Sequence, residues 1–244
     1  KICFFVEITI ILTNLVIIKL IFNEKTQIEG GKIICENNKP TGVILDNAIT
    51  EATNLIPQYS IAEKSKALLE IQEELFQFGI TGVHEAGINF SDISLFENLV
   101  NKNKLHLDLY LMLYGTPENM KFAKKNGKYM NKNLKISSFK IVGDGSLGSR
   151  GACLKDHYHD ASTNGFLTTN TKQLFTIAEF CRKVDYQMNT HAIGDSTNKV
   201  ILDIIEETFK TKKDHRWRIE HAQVLDLKDL EKFSKFAVFP SVQP

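Results

Sequence analysis

The chain has 244 residues, with 30 lysines and arginines against 29 aspartates and glutamates, a formal charge of +1 and 43% hydrophobic residues. That length fits one large α/β domain or two small ones. The near-neutral, interspersed charge excludes the basic field of a nucleic-acid binder and the acidic run of a solvating tail. Cys3, Cys35, Cys153 and Cys181 are scattered, with no CxxC or disulfide-framework spacing, the usage expected of a reduced cytoplasmic protein.

The run KICFFVEITIILTNLVIIKLIF, residues 1–22, is strongly apolar but is interrupted by Glu7 and Lys19. No small-residue cleavage site follows it, and a spanning helix needs about 20 mostly apolar residues. It is read as a buried segment of a larger domain, with a membrane anchor as the lesser alternative. The missing initial Met and the end at Pro244, straight after a strand-like run, suggest a piece of a longer sequence. GGKIICENNKPTGVILDN then reads as two short β segments joined by a polar turn at Glu36–Lys39. Residues 1–59 are thus expected to be an N-terminal segment with a small β insertion, set apart from residues 60–244.

From residue 60 a regular alternation begins. Residues 61–78 carry apolar side chains at helical spacing, with Gly79 as C-cap. ITGVHEA is a strand, 91–103 a helix and LHLDLYLML a strand. PENMKFAKKNG opens with Pro117 and closes at Gly127, the proline-first, glycine-last order of a helix. ISSFKIV is the next strand, followed by a polar loop over 143–170. Thr171 caps a helix to Lys183, and YQMNTHA is a strand. Asp195 or Ser196 starts a helix before the strand RWRIEHA. DLKDLEKFSKF is helical and AVFPSVQ is the last strand. Six strands separated by helices are the signature of repeated βαβ units. No GxGxxG follows the first strand, which disfavours a dinucleotide-binding sheet. A complete TIM barrel has eight strands, so six describe an incomplete one. Its two open edges predict homo-oligomeric association.

Two of these strands end in a histidine, His191 in YQMNTHAIGD and His221 in RWRIEHAQ. Neutral imidazole is the commonest metal ligand, and strand C-termini of a barrel face one crevice. Each alone reads more simply as a satisfied strand-end histidine; as a pair on successive strands they point to a metal. Asp195 and Glu220 are candidate orienters of the rings. Lys140 lies inside the apolar strand ISSFKIV, where a lysine is costly to bury. A buried free amine can take up CO₂ as a carbamate, an anionic oxygen ligand able to bridge two ions. The simpler alternatives are an edge lysine reaching solvent or an ion pair with Asp144. The loop GDGSLGSRGA, 143–152, lacks the Walker lysine pattern and reads as a substrate-lining loop, with Arg150 and Asp144 as substrate-binding candidates. His84 and Glu85, at another strand end, are further candidates for the same crevice. No GxSxG elbow and no cysteine–histidine frame is present.

With these residues in view the chain resembles the amidohydrolase superfamily, specifically amidohydrolase family 3 in its YtcJ-like or N-substituted formamide deformylase-like branch. The resemblance is carried by IEGGKII, PTGVILDNA, GITGVHEAG, FKIVGDGSLGSRGA, NTHAIGD, RIEHAQ and PSVQP, in that order. It implies a (β/α)8 barrel holding one or two divalent metal ions, usually zinc, and hydrolysis of an amide or N-acyl C–N bond in a small-molecule substrate, with no role for nucleic acid or membrane. Lys140 would end barrel strand four, His191 strand five and His221 strand six, so strands two to seven are covered. Lys140, His191 and His221 are then the catalytic and metal-binding residues, Lys140 as a carbamate. The family also carries an HxH pair on strand one and an aspartate on strand eight that acts as general base. No histidine precedes His84, and no segment here matches strand eight. The resemblance therefore implies a fragment with little activity alone. The alternative is a non-catalytic barrel remnant serving as a binding or interaction module.

Overall fold

The computed structural model describes residues 9–11, 26–53, 58–211 and 214–243. Of the apolar run 1–22, residues 9–11 belong to this set; the remainder of that expectation lies outside the described residues. Strands β1 (Thr9–Ile11), β2 (Gly31–Glu36) and β3 (Lys39–Asp46) form a small antiparallel sheet in the order β1–β3–β2. The β2–β3 turn sits on Asn37 and Asn38, with φ of 48° and 61°, a left-handed pair that asparagine tolerates and that two-residue hairpins require. A short helix α1 (Asn47–Thr53), not anticipated from the sequence, follows β3 directly.

The second sheet is built from α2 (Ile61–Gln77), β4 (Gly82–Ile88), α3 (Phe90–Asn101), β5 (Asp108–Tyr114), α4 (Pro117–Asn126), β6 (Tyr129–Asn131) and β7 (Leu134–Val142). It continues through α5 (Thr171–Val184), β8 (Gln187–Ala192), α6 (Asp195–Phe209), β9 (Arg218–His221), α7 (Leu230–Lys235) and β10 (Phe239–Ser241). Six strands run parallel in chain order, β4–β5–β7–β8–β9–β10, while β6 pairs antiparallel with β7 off that path. The order never reverses, so the sheet is singly wound, as in a barrel, and lacks the switch point of a doubly wound sheet.

Its curvature follows from one contact. Arg218 Nη1 on β9 lies 3.0 Å from His84 Nδ1 on β4. Four strand spacings in a flat sheet amount to about 19 Å, farther than an arginine and a histidine can span together. The sheet is therefore curled into a partial barrel, and the expected six-strand, incomplete TIM architecture is what the chain adopts.

Local chemistry sets the boundaries. Ser60 and Glu63 form a capping box at the start of α2, and Gly79, with φ of 72°, follows its end. Thr116 caps α4, Pro117 opens it, and Gly127 closes it with φ of 63°. The cap of α5 is Asn170, boxed with Gln173, one residue before the expected Thr171. The helix expected over 226–236 is broken: Asp226 caps a 3-10 turn at Leu227–Asp229, and α7 begins only afterwards.

The core lies between the sheet and its helices. Leu111, Leu113, Leu134, Ile136 and Phe139 are fully buried there, each such side chain contributing about 1.5–3 kcal/mol. Asn119 of α4 is also completely buried, and its Nδ2 donates to the carbonyls of Ile88 (3.1 Å) and Tyr114 (2.9 Å). It thus staples the ends of β4 and β5. Replacing it with alanine leaves two carbonyls without their donor, and Asn119→Ala is expected to lower unfolding stability by about 1–3 kcal/mol. Urea denaturation followed by circular dichroism checks this; an unchanged midpoint would refute the staple.

Candidate functional site

Parallel register places side chains in rows across the concave face. Tyr114, Lys140, Asn189 and Arg218 are cross-strand partners in one row. The next row towards the strand ends holds Val142, His191, Glu220 and Ser241. His221 is opposite Ala192, out of phase with His191, so a regular strand would turn it to the other face. The backbone breaks the alternation, with φ of 75° at His221 and 44° at Ala222. The left-handed region costs a non-glycine residue about 1–2 kcal/mol. The result is that the His191 and His221 rings meet edge to face with centroids 4.6 Å apart.

Each ring has one nitrogen tied off. His191 Nε2 is 3.3 Å from the Gly145 carbonyl, which can only accept, so Nε2 carries the proton and Nδ1 the lone pair. His221 Nδ1 is 2.7 Å from Gln243 Oε1, likewise an acceptor, which leaves the lone pair on Nε2. Burial pushes His191 down to about 3, helped by the charge of Lys140 and then by His221, against the Gly145 carbonyl. Burial also lowers His221, with Lys140 adding to the effect while Gln243 and Glu220 oppose it. Both rings are neutral at neutral pH, the form that binds metal. Lys140 is 4% exposed, and its charge is felt by both rings. A metal-ligating histidine whose other nitrogen donates to a carbonyl or carboxamide is the usual supported arrangement, so the two rings fit a divalent ion. Among the described residues no three His, Cys, Asp or Glu side chains converge on one point.

The loop after β7 is organised by Asp144, which is fully buried. Its carboxylate accepts the backbone N–H groups of Cys153 (2.9 Å), Ile193 (3.0 Å) and Gly194 (2.9 Å). Burial raises its pKa, and these hydrogen bonds pull it back. Its Oδ1 also lies 3.6 Å from His191 Nε2. Asp144 thereby joins the 143–152 loop to the β8–α6 connection and supports His191 from behind.

The remaining sequence candidates make their polar contacts with other partners. Arg150, with φ of 57°, forms a two-pronged ion pair with Asp160 at 3.1 and 2.7 Å on the outer side of the loop. His84 packs against Tyr110 with ring centroids 4.7 Å apart and planes tilted by 38°, and accepts from Arg218 through Nδ1. Glu85 is in register with the core residue Leu111, and burial raises its carboxyl pKa. Asp195 accepts the Lys155 N–H at 2.9 Å, and Glu220 pairs with Arg218 at 2.7 Å. The orienters of the rings are instead Gly145 and Gln243. Gln243 lies in the PSVQP segment, where a carboxamide two residues past a strand end was the available signal. A cavity of about 420 Å³ lined by Gly82, His84, Asp108, Tyr110, Asn133 and Lys135 opens at the opposite, N-terminal ends of the strands, away from His191 and His221.

The amidohydrolase family model matches residues 12–244. The chain belongs to the amidohydrolase family. This amidohydrolase-family chain is 27% identical over 231 residues to Protein LONG AFTER FAR-RED 3 of Arabidopsis thaliana, covering 88% of the chain and 40% of that protein. It is 28% identical over 225 residues to the candidate amidohydrolase YtcJ of Bacillus subtilis (strain 168), covering 88% and 42%. A crystal structure of an uncharacterized metal-dependent hydrolase from Pyrococcus horikoshii OT3 superposes with TM-score 0.73 at 28% identity, over 87% of this chain and 44% of the other. The chain thus spans less than half the length of each of these relatives.

Asp46, at the end of β3, was not singled out by the sequence. Burial, reinforced by the charge of Asp144, raises its carboxyl from the ordinary 3.8 to about 6. The folded state then holds this proton more tightly than the unfolded chain. The corresponding stabilisation is complete below the unfolded pKa and is lost as pH rises through the folded one. Asp46→Asn is expected to be about 1–2 kcal/mol more stable than the parent chain above pH ~6, allowing for partial exposure, and to lack that slope. Urea midpoints from about pH 4 to 8 measure this; parallel curves for the two proteins would refute it.

Proposed function

We propose that this chain is the central part of a metal-dependent amidohydrolase that hydrolyses an amide or N-acyl C–N bond in a small-molecule substrate. The observation that carries the reading is the pair of neutral imidazoles at successive strand ends, each with its second nitrogen tied off. Family membership and the likeness to metal-dependent hydrolases support it. His191 would bind the ion through Nδ1 and His221 through Nε2, with Lys140 as a carbamate supplying an oxygen beside them. Nitrogen and oxygen donors suit zinc. A bound divalent ion supplies Lewis-acid activation of water and of a substrate carbonyl. The Gly145 carbonyl and Gln243 hold the rings in their metal-binding tautomers, and Asp144 fixes the loop that carries Gly145. A cytoplasmic location is part of this reading, supported by the free thiols of Cys35, Cys153 and Cys181.

Until Lys140 is carbamylated, the two histidines are fewer protein ligands than the three of a catalytic zinc site. The isolated chain is therefore proposed to turn over slowly, if the HxH pair and strand-eight aspartate of the family act from elsewhere in a longer protein. The same count is what favours the second reading, a barrel remnant that binds without catalysis. Zinc titration by calorimetry separates them. The expected result is binding to the parent chain, loss in His191→Ala and His221→Ala, and weakening by about 10–100-fold in Gln243→Ala. Amide hydrolysis by the longer protein, abolished by Lys140→Ala, completes the test. Equal zinc affinity in all four chains would sink the assignment, and no zinc binding to any of them would favour the remnant.

A further inference from the structure

We propose that Asp46 is a positioning residue for the His191–His221 centre: delivered by the small sheet, its carboxyl wedges against the 143–152 loop and holds the Gly145 carbonyl on the His191 ring. This contact gives the small N-terminal sheet a task and accounts for two glycines of GDGSLGSRGA that backbone conformation does not. Only its consequence for metal affinity rests on the function proposed above; the placing of the loop does not.

The small sheet is fastened to the far limb of the loop by side chains next to Asp46. Asn47 Nδ2 donates to the carbonyls of Thr168 and Glu29, both at 2.9 Å. Asn170 Nδ2 donates to Glu29 Oε1 at 3.0 Å. Asp46 itself has φ of 52°, and its carboxyl reaches the near limb. A Cβ at Gly145 would come within 2.7 Å of Asp46 Oδ1 and 2.8 Å of Oδ2, and one at Gly151 within 2.7 Å of Oδ2. Neither glycine has a positive φ, so both are there for room, and the carboxyl fills it.

The contact is one of shape. The Gly145 N–H is taken by the Gly151 carbonyl (3.2 Å) and the Gly151 N–H by the Ser146 carbonyl (3.0 Å). Asp46 Oδ2 is buried with no hydrogen-bond partner among the described residues. The Gly145 carbonyl receives the His191 Nε2 proton. The wedge and the imidazole thus bear on one residue, the carboxyl where a Cβ would sit and the ring at the carbonyl. Removing the wedge opens space behind Gly145 into which the loop can retreat, releasing the ring from its fixed tautomer.

Hydrogen exchange on the 244-residue chain tests this, using the amides of Cys153, Ile193 and Gly194 that bond to Asp144. Asp46→Ala, and Gly145→Ala from the opposite side, are expected to speed exchange of these amides at least about tenfold while β5 and β7 stay protected. Asp46→Asn, with the same shape, is expected to keep these amides at least as protected as in the parent. Ring ¹⁵N shifts should report loss of the pure Nε2–H form of His191 in the alanine variants and its return in Asp46→Asn. Unchanged exchange in Asp46→Ala, or equal loss across β5 and β7, would overturn the proposal. Zinc affinity should fall with the tautomer; a parent chain that binds no zinc would overturn the metal reading alone, since exchange still decides the role of Asp46.

Discussion

The buried carboxylate of Asp144 is the interaction on which the mouth of this partial barrel depends. A fully buried charge is unfavourable unless hydrogen bonds replace water, and three backbone N–H groups from two separate connections do so here. The exchange is mutual. The loop from 143 to 153 and the turn at 193–194 leave the paired strands β7 and β8, and the carboxylate supplies a shared acceptor beyond the strand ends. With that acceptor in place, Gly145 presents its carbonyl to one histidine, and the turn after β8 starts α6 at a fixed angle.

The fold was largely legible in the chain because its signals are local. The helical spacing over 61–78, the Pro117 and Gly127 punctuation and the polar ends of the apolar runs each act within a few residues of where they are read. Where neighbouring residues compete for one job, the reading slipped. Asn170 takes the cap from Thr171 because Gln173 sits three residues on, where it can return the hydrogen bond. Asp226 caps a 3-10 turn that interrupts a helix whose apolar spacing looked continuous. The three-residue strand β6 is too short to show a period.

The site was legible only in part, for a different reason. His191 and His221 announce themselves by residue type and by the strand ends they occupy. Their supports do not: a backbone carbonyl such as that of Gly145 has no letter of its own, and Gln243 is separated from His221 by a whole helix. Asp195 and Glu220, the nearer carboxylates, are engaged by Lys155 and Arg218 instead. Arg150, a substrate-binding candidate by residue type, is paired with Asp160 ten residues later, a partner its own surroundings in the sequence do not announce. Proximity in sequence misled wherever a long loop folded back on itself.

The bond between Arg218 and His84 divides the interior of the curled sheet. Around it Tyr110 bonds Gln187, and Met112 receives hydrogen bonds from Asn189 and Arg218, so side chains from four strands fill the space beneath Lys140. The curled sheet thus has a floor at this level. A guanidinium donating to Nδ1 also fixes His84 as the Nε2–H tautomer. This floor therefore parts the two histidines from the cavity at the N-terminal ends of the strands.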